Sequence, residues 1–314
     1  MELKLSKEVS NHLLRLNNLA DELKFPDLFL CGGVVRDIFF NIDEAKDIDL
    51  TVNDGFKSNM LGLIYASKYN LDVKYKYNKN MRILIDSNSL DFSTGNISKF
   101  LVNSNYSKIK LETLSRDFTI NSLLLNYKNE KVIDITGNGI QDCLDKKVRT
   151  ILEPHITFND DPKRFIRAIY YASKYNLEID SRIYDWAIKN QNLTFSMIEE
   201  NRAFATNSIA TSLAFDEEKT IEFLIETKTI KHIPLVGRFK NILIKRKLLD
   251  FYLNEQDQVN EVIDPIGGFD GSQYPKYFAE NGPSSVPITF GDSSTYDDNN
   301  RSHGLENRQL PYLT

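Results

Sequence analysis

The chain has 314 residues, enough for about two domains of ordinary size, and its 41% apolar and 26% charged residues call for a packed core and exclude a chain disordered throughout. Its 39 basic and 44 acidic residues give a net charge of −5, which ordinarily weighs against a nucleic-acid partner. No run approaches the ~18 apolar residues of a membrane span, so no membrane partner and a cytoplasmic location are expected; Cys31 and Cys143 alone exclude a disulfide framework or zinc cluster, and His12, His155, His232 and His303 have no metal-ligand spacing.

The average charge misleads. From Glu255 onward there are ten acidic and three basic residues, which leaves residues 1–254 at +2. Residues 6–24 place Val9, Leu13, Leu16 and Leu23 near helical spacing ahead of Pro26, which predicts an amphipathic first helix. A strand is predicted at 28–31, then a tight turn at Gly32-Gly33 opening a helix on VVRDIFF. Residues 47–52 (DIDLTV) alternate acidic and apolar and predict a half-buried strand. Further strands are predicted within 71–77, 81–86, 89–94, 122–127 and 131–135. After Pro162 the period turns helical: Phe165, Ile166, Ile169 and Tyr170 share a face, and SRIYDWAIKN and EKTIEFLIETK repeat the pattern. The expected organisation is an α+β domain at 1–150 with a mixed sheet, a helical domain at 151–254, and an acidic, largely irregular tail at 255–314.

Asp47 and Asp49 form an Asp-x-Asp on one predicted strand, so both carboxylates project from the same face. Hard oxygen ligands suit Mg²⁺, and two ions about 3.5–4 Å apart can hold the attacking and leaving oxygens of a phosphoryl displacement. A solvated strand face would account for an isolated pair equally well. Gly32-Gly33 before a helix suits a phosphate, although an ordinary strand-to-helix turn uses the same residues. The order strand, Gly-Gly, helix with Arg36, strand with Asp47 and Asp49 sets the two features side by side, as nucleotidyl transfer requires. Asp91, on another predicted strand, is the candidate third acid.

The segments LFLCGGVVRDIFFNIDEAKDIDLTV (28–52), LSRDFTINSLLLNY (114–127), VIDITGNGIQDCL (132–144) and FNDDPKRFIRAIYYASKYNLEI (158–179) together resemble, in order, the class II tRNA nucleotidyltransferases (CCA-adding enzymes) and bacterial poly(A) polymerases. The resemblance spans about residues 25–235. It implies a polymerase-β-like nucleotidyltransferase head and a helical neck, which use two Mg²⁺ ions with CTP and ATP to extend the 3′ end of RNA, foremost tRNA, by attack of the RNA 3′-hydroxyl on the α-phosphate. Asp47 and Asp49 fall on the family's metal-binding acids; Gly32, Gly33 and Arg36 fall on its triphosphate-facing turn. Arg116, Asp117 and Asn121 fall on its RRDFTINA motif, which serves ribose and phosphates, Asp117 accepting the 2′-hydroxyl. Asp161 and Arg164 fall on its EDxxR motif. Three residues apart on a helix, they share a face; Asp accepts from an exocyclic amine and Arg donates to a ring nitrogen, the pattern on the Watson–Crick edges of cytosine and adenine. Guanine or uracil would bury unmatched polar groups at about 1–3 kcal/mol each. Asp161 also suits a helix cap ahead of Pro162, and one carboxylate can do both. Arg167, a turn on, supports phosphate or packs its stem. Asp134, Gly139 and Asp142 resemble the segment that lets head and neck pivot.

The chain also departs from that pattern. Ser115 stands where the family has its first Arg, Asp160 replaces the Glu of EDxxR, no Arg follows Asp91, and the loop from Gly95 to Leu114 is short. In place of the family's tRNA-gripping body and tail helices stands a basic run at 238–252, in which Lys240, Lys245, Arg246 and Lys247 are the candidate RNA contacts, or the polar face of a helix. A CCA-adding or A-adding transferase is expected, with a poly(A) polymerase or a non-catalytic RNA-binding accessory protein as alternatives.

Overall fold

The computed structural model describes residues 5–249 except 43–46, 54, 76–80, 86, 94–96 and 235–236. The tail expected at 255–314, the end of the strand-like segment 71–77 and the start of the 95–114 loop therefore lie outside the described residues.

Helix α1 (Lys7–Glu22) begins where the Ser6 hydroxyl accepts from Val9 N, and it buries Val9, Leu13, Leu16 and Leu19. Leu23, expected on that face, instead ends the helix and is exposed, because the chain turns away there to reach the first strand. Next come β1 (Leu28–Cys31), α2 (Gly33–Phe39), β2 (Asp47–Val52), α3 (Gly55–Tyr69), β3 (Val73–Tyr75), β4 (Met81–Ile85) and β5 (Asn88–Phe92). Then follow α4 (Lys108–Leu114), a 3-10 turn (Thr119–Asn121), β6 (Leu124–Asn126), β7 (Lys131–Ile133), α5 (Gly139–Leu144) and β8 (Lys147–Val148). The neck comprises α6 (Pro154–Asp160), α7 (Lys163–Tyr175), β9 (Glu178–Ile179), α8 (Ser181–Lys189), α9 (Gln191–Glu200), α10 (Arg202–Phe215), α11 (Glu217–Glu226) and α12 (Gly237–Lys245).

Among the described residues, seven strands form one sheet in the order β3-β4-β5-β2-β1-β6-β7. The β2–β5 pair is parallel and its neighbours are antiparallel, so the sheet is mixed, as expected. Period-two alternation sorts its faces. Leu28, Leu30, Ile48, Leu50, Val52, Leu90, Phe92, Met81 and Ile83 are buried in the core with residues of α1 and α3, while Asp47, Asp49 and Thr51, one step out of phase, share the other face.

Two local expectations change. The stretch read as loop as far as Leu114 contains α4, started by the Ser107 hydroxyl accepting from Lys110 N. The wholly helical second half contains β9: Asn176 ends α7 in the left-handed conformation (φ 51°), and the chain returns to pair in parallel with β8. That pairing ties neck to head, and the described residues of both belong to one compact unit. The neck core is aromatic, with Trp186 packed 4.6 Å from Phe158 and 5.7 Å from Phe165 between ring centroids. No helix among the described residues is long and apolar enough to cross a membrane.

Candidate active site

A row of side chains crosses the outer face of the sheet. Asp49 on β2 stands opposite Asp91 on the parallel strand β5; beyond Asp91 stands Arg82 on β4, and on the other side of Asp49 stands Cys31 on β1. Asp47, two residues before Asp49, shares its face and accepts from the Ser89 hydroxyl at 2.7 Å. Arg82 donates through Nε and Nη2 to both oxygens of Asp91, at 2.7 and 2.6 Å, and through Nη2 to Asp47 at 3.0 Å.

The Gly32 turn closes directly over this row. Gly32 has φ +71°, a conformation side chains rarely adopt, and a Cβ there would lie 2.9 Å from Asp49 Oδ2 and 3.0 Å from Arg116 Nη1. The backbone thus approaches the carboxylate as closely as the absence of a side chain permits.

Arg116 reaches into the same corner from the segment after α4. Its Nη2 lies 3.0 Å from Cys31 Sγ and 3.5 Å from Glu112 Oε1, its Nη1 lies 3.4 Å from the Asn121 carbonyl, and its buried Nε has no acceptor. Burial opposes its charge most, but Glu112, Asp49 and Asp117 around it hold it firmly protonated. The Cys31 thiol is pushed up to about 12, chiefly by burial, with Arg116 opposing, so it is neutral beside the acids. Glu112 on α4 is buried and accepts from the Thr51 hydroxyl at 2.7 Å, which holds α4 against β2. Ser115, where the family has Arg, is spent locally: its hydroxyl donates to the Leu111 carbonyl and accepts from Ser98 N.

Asp117 is buried. Its Oδ1 accepts from Phe118 N and from the Asn121 amide, and its Oδ2 lies 2.9 Å from Arg167 Nη2 without aligned hydrogen-bond geometry. Burial, the largest influence, raises its pKa, but Arg167, the Asn121 amide, Arg164 and Phe118 N together outweigh it and hold the carboxyl below its usual range. Arg36, expected to face phosphate, lines the cleft but is committed: it donates to Asp37, to Asn121 Oδ1 and to the Tyr175 hydroxyl, and lies over the Tyr171 and Tyr175 rings.

The opposite wall is α6 and α7. Asp161, expected to cap a helix it shares with Arg164, lies outside both helices: it ends α6 in extended conformation and Pro162 stands at the start of α7, because the chain bends between the two. Its Oδ1 accepts from Lys163 N, which leaves its second oxygen outside that bond. Arg164 donates to the Ser115 carbonyl at 2.7 Å and pairs with Asp160 at 3.4 Å. Arg167 pairs with Asp117 and donates to the Tyr171 hydroxyl. Tyr170, read as part of the apolar face with Phe165, Ile166 and Ile169, is half-buried and lines the cleft, while those three face the core.

These walls enclose a cleft of about 480 Å³ lined by Gly32, Gly33, Arg36, Asp49, Asp91, Arg116, Asp117, Asn121, Asp161, Arg164 and Arg167. Asp47 stands at its margin, outside the lining, with its side chain 63% exposed. Sequence reasoning missed Arg82 and six lining residues: Phe92, Ser93, Glu112, Tyr171, Lys174 and Tyr175. The spacing 164, 167, 171, 174/175 along α7 was a legible signal for the last three.

In donor chemistry the acids fit a hard divalent cation: three carboxylates lie on one sheet face, two of them in register on adjacent strands. As they stand, no three His, Cys, Asp or Glu among the described residues are gathered into a metal-ready cluster. Arg82 is paired with both Asp47 and Asp91 there.

Asp134, Gly139 and Asp142 lie apart from the cleft lining. Asp134 accepts from Thr136 N, Gly137 N and Ile140 N; Asp142 accepts from the Thr119 hydroxyl and pairs with Arg149. Helix α12 buries Phe239, Ile242 and Leu243 and exposes Lys240 and Lys245; Arg246 and Lys247 follow it, also exposed, with Arg246 paired to Glu217 at 3.0 Å. The basic run is thus at least the polar side of an amphipathic segment.

Residues 28–149 match the family described as the poly A polymerase head domain. The tRNA nucleotidyltransferase cca1 of Schizosaccharomyces pombe is 31% identical over 194 residues, which cover 55% of this chain and 39% of that protein. A CCA-adding enzyme of Pediococcus pentosaceus is 25% identical over 224 residues, 66% of this chain and 52% of its own. The chain thus spans about half or less of these relatives. Among solved structures, the Thermotoga maritima CCA-adding enzyme complexed with tRNA shares the fold over 73% of this chain and 53% of its own, at TM-score 0.57 and 22% identity. A tRNA nucleotidyltransferase complexed with a primer tRNA and an incoming ATP analog matches over 77% of this chain and 70% of its own, at TM-score 0.56 and 23% identity.

Proposed function

Because this chain belongs to the class II tRNA nucleotidyltransferase and poly(A) polymerase family, we propose that it adds CMP and AMP to tRNA 3′ ends without a nucleic-acid template. The observation that carries this reading is the single cleft in which Gly32 backbone, Asp49 and Asp91 stand on one side and Asp161 and Arg164 on the other. One wall has the groups for phosphates, the other those for a base.

Asp47 and Asp49, with Asp91 across from them, would hold Mg²⁺, which when bound supplies positive charge for the α-phosphate and for the attacking 3′-hydroxyl. The remaining roles belong to the chain's own residues. Arg116, protonated and with its Nε lacking an acceptor, faces the phosphates beside Asp49. Asp117 Oδ2, buried without an aligned donor, accepts from a ribose hydroxyl. Asn121 and Arg36 brace Asp117 and the Gly32 turn rather than reaching far into the cleft.

For the base, Arg164 is fixed by the Ser115 carbonyl, so its remaining N–H groups point in a set direction, and Asp161 offers the oxygen that does not accept from Lys163 N. Cytosine and adenine match an acceptor beside a donor; guanine and uracil would bury mismatched groups. Lys240, Lys245 and Lys247 are the proposed contacts for the acceptor's phosphates.

The test is incubation of the full chain with Mg²⁺, labelled CTP or ATP, and a tRNA transcript ending before CCA. Incorporation of both supports CCA addition, ATP alone supports A-addition, and long A tracts on unrelated RNA support a poly(A) polymerase. No incorporation of either contradicts the enzyme and leaves a binding protein.

A further inference from the structure

Arg82 lies outside the family motifs read in the sequence, yet it contacts two of the three acids. It stands on β4 in antiparallel register with Asp91. No basic residue occupies β5 itself (Asn88–Phe92), so the guanidinium reaches Asp91 from the neighbouring strand.

Its two contacts differ in kind. Asp91 is 5% exposed in its side chain, and both its oxygens are gripped, at 2.7 and 2.6 Å. A two-pronged, charge-assisted pair of this sort is strong and directional. Asp47 is 63% exposed and is met by a single bond at 3.0 Å, from a nitrogen already shared with Asp91. Exposed single contacts contribute little. A competing cation can therefore take Asp47 and leave the grip on Asp91 intact.

We propose that Arg82 is a positioning residue with two states: it keeps Asp91 aimed at the cleft throughout, and it stands in for a cation on Asp47 until a divalent ion claims that carboxylate. This rests on the assignment of Asp47 and Asp49 as the metal-holding acids. Loss of Arg82 then has effects of opposite sign. Ion binding tightens, because a rival for Asp47 and a like charge beside the ion are gone. Transfer slows, because Asp91 is no longer held. A structural defect would weaken both.

The experiment titrates Mn²⁺ into the full chain without nucleotide, following free Mn²⁺ by electron paramagnetic resonance, and measures kcat on the tRNA transcript at saturating metal. Wild type should bind saturably, and Asp49→Asn should lose that binding; unaltered binding in Asp49→Asn overturns the metal assignment itself. Arg82→Ala should lower the Mn²⁺ Kd by about fivefold or more while lowering kcat by about tenfold. Arg82→Lys should keep the wild-type Kd, because the charge remains, yet share the loss in kcat, because one ammonium cannot grip both oxygens. An Arg82→Ala protein whose Kd is unchanged or weaker, with Asp49→Asn behaving as expected, overturns the role of Arg82 alone. If Arg82→Ala lacks a cooperative melt, Arg82→Gln carries the same expectation.

Discussion

Asp117 and Arg167 meet at 2.9 Å across the junction of head and neck, so the acid proposed to face the ribose is held by the helix that carries Arg164. Removing Arg167 leaves a buried carboxylate short of its main partner. Arg167→Ala should cost about 1–2 kcal/mol, less than a fully buried pair because Arg167 is 38% exposed in its side chain. The depressed pKa sets the pH window. Asp117's contribution is complete above the ordinary aspartate value of about 4 and is lost as pH falls through the lower folded value. Denaturant melts of wild type and Arg167→Ala should therefore differ at neutral pH and converge in that acid range.

Gly32→Ala places a Cβ 2.9 Å from Asp49 Oδ2 on a backbone at φ +71°. Both effects oppose it, so a loss of about 1–3 kcal/mol is expected, with transfer activity falling by about a hundredfold as the carboxylate is displaced. Thermal melting and the transcript assay check the two parts separately.

Arg164→Ala removes one donor of the base-reading pair while leaving the Gly32 turn and Arg116 in place. The preference for CTP and ATP over GTP and UTP should drop by about tenfold or more, with a smaller change in triphosphate affinity. Competition assays with all four nucleotides measure it; unchanged discrimination removes Arg164 from base selection.

His232 is buried against Phe195, with centroids 4.8 Å apart, and its Nε2 has no partner. Burial, aided by Lys231, lowers its pKa to about 4. The unfolded chain takes up its proton near 6.5, so stability is full above that pH and declines as pH falls toward 4, by about 2–3 kcal/mol. His232→Phe should flatten this part of the stability profile; an unchanged slope would assign it to other groups.

The strands at 28–31 and 47–52 were legible residue by residue: the first is an apolar run between Pro26 and Gly32, and the second starts with acidic and apolar residues alternating at a period of two. The cleft's two walls followed from four motifs in order. What escaped notice depends on register and packing. Arg82 matters only because β4 pairs with β5 so that residue 82 meets residue 91. Glu112 matters because α4 leans on Thr51, and α4 itself was hidden, since Ile109, Leu111 and Leu114 trace no helical stripe. Tyr171 and Tyr175 have the right spacing on α7 but carry no motif of their own, and they serve core and site together: buried, and stacked on Arg36 at the cleft wall.

The central claim is that Asp49, beneath the Gly32 turn and opposite Asp91, carries the chemistry. Nucleotide incorporation into a tRNA transcript lacking CCA, by wild type and by Asp49→Asn at matched folding, tests it most directly. The account predicts that wild type extends the transcript and that Asp49→Asn, with an unchanged melt, falls by about a thousandfold or more; an Asp49→Asn protein within about tenfold of wild type would contradict it.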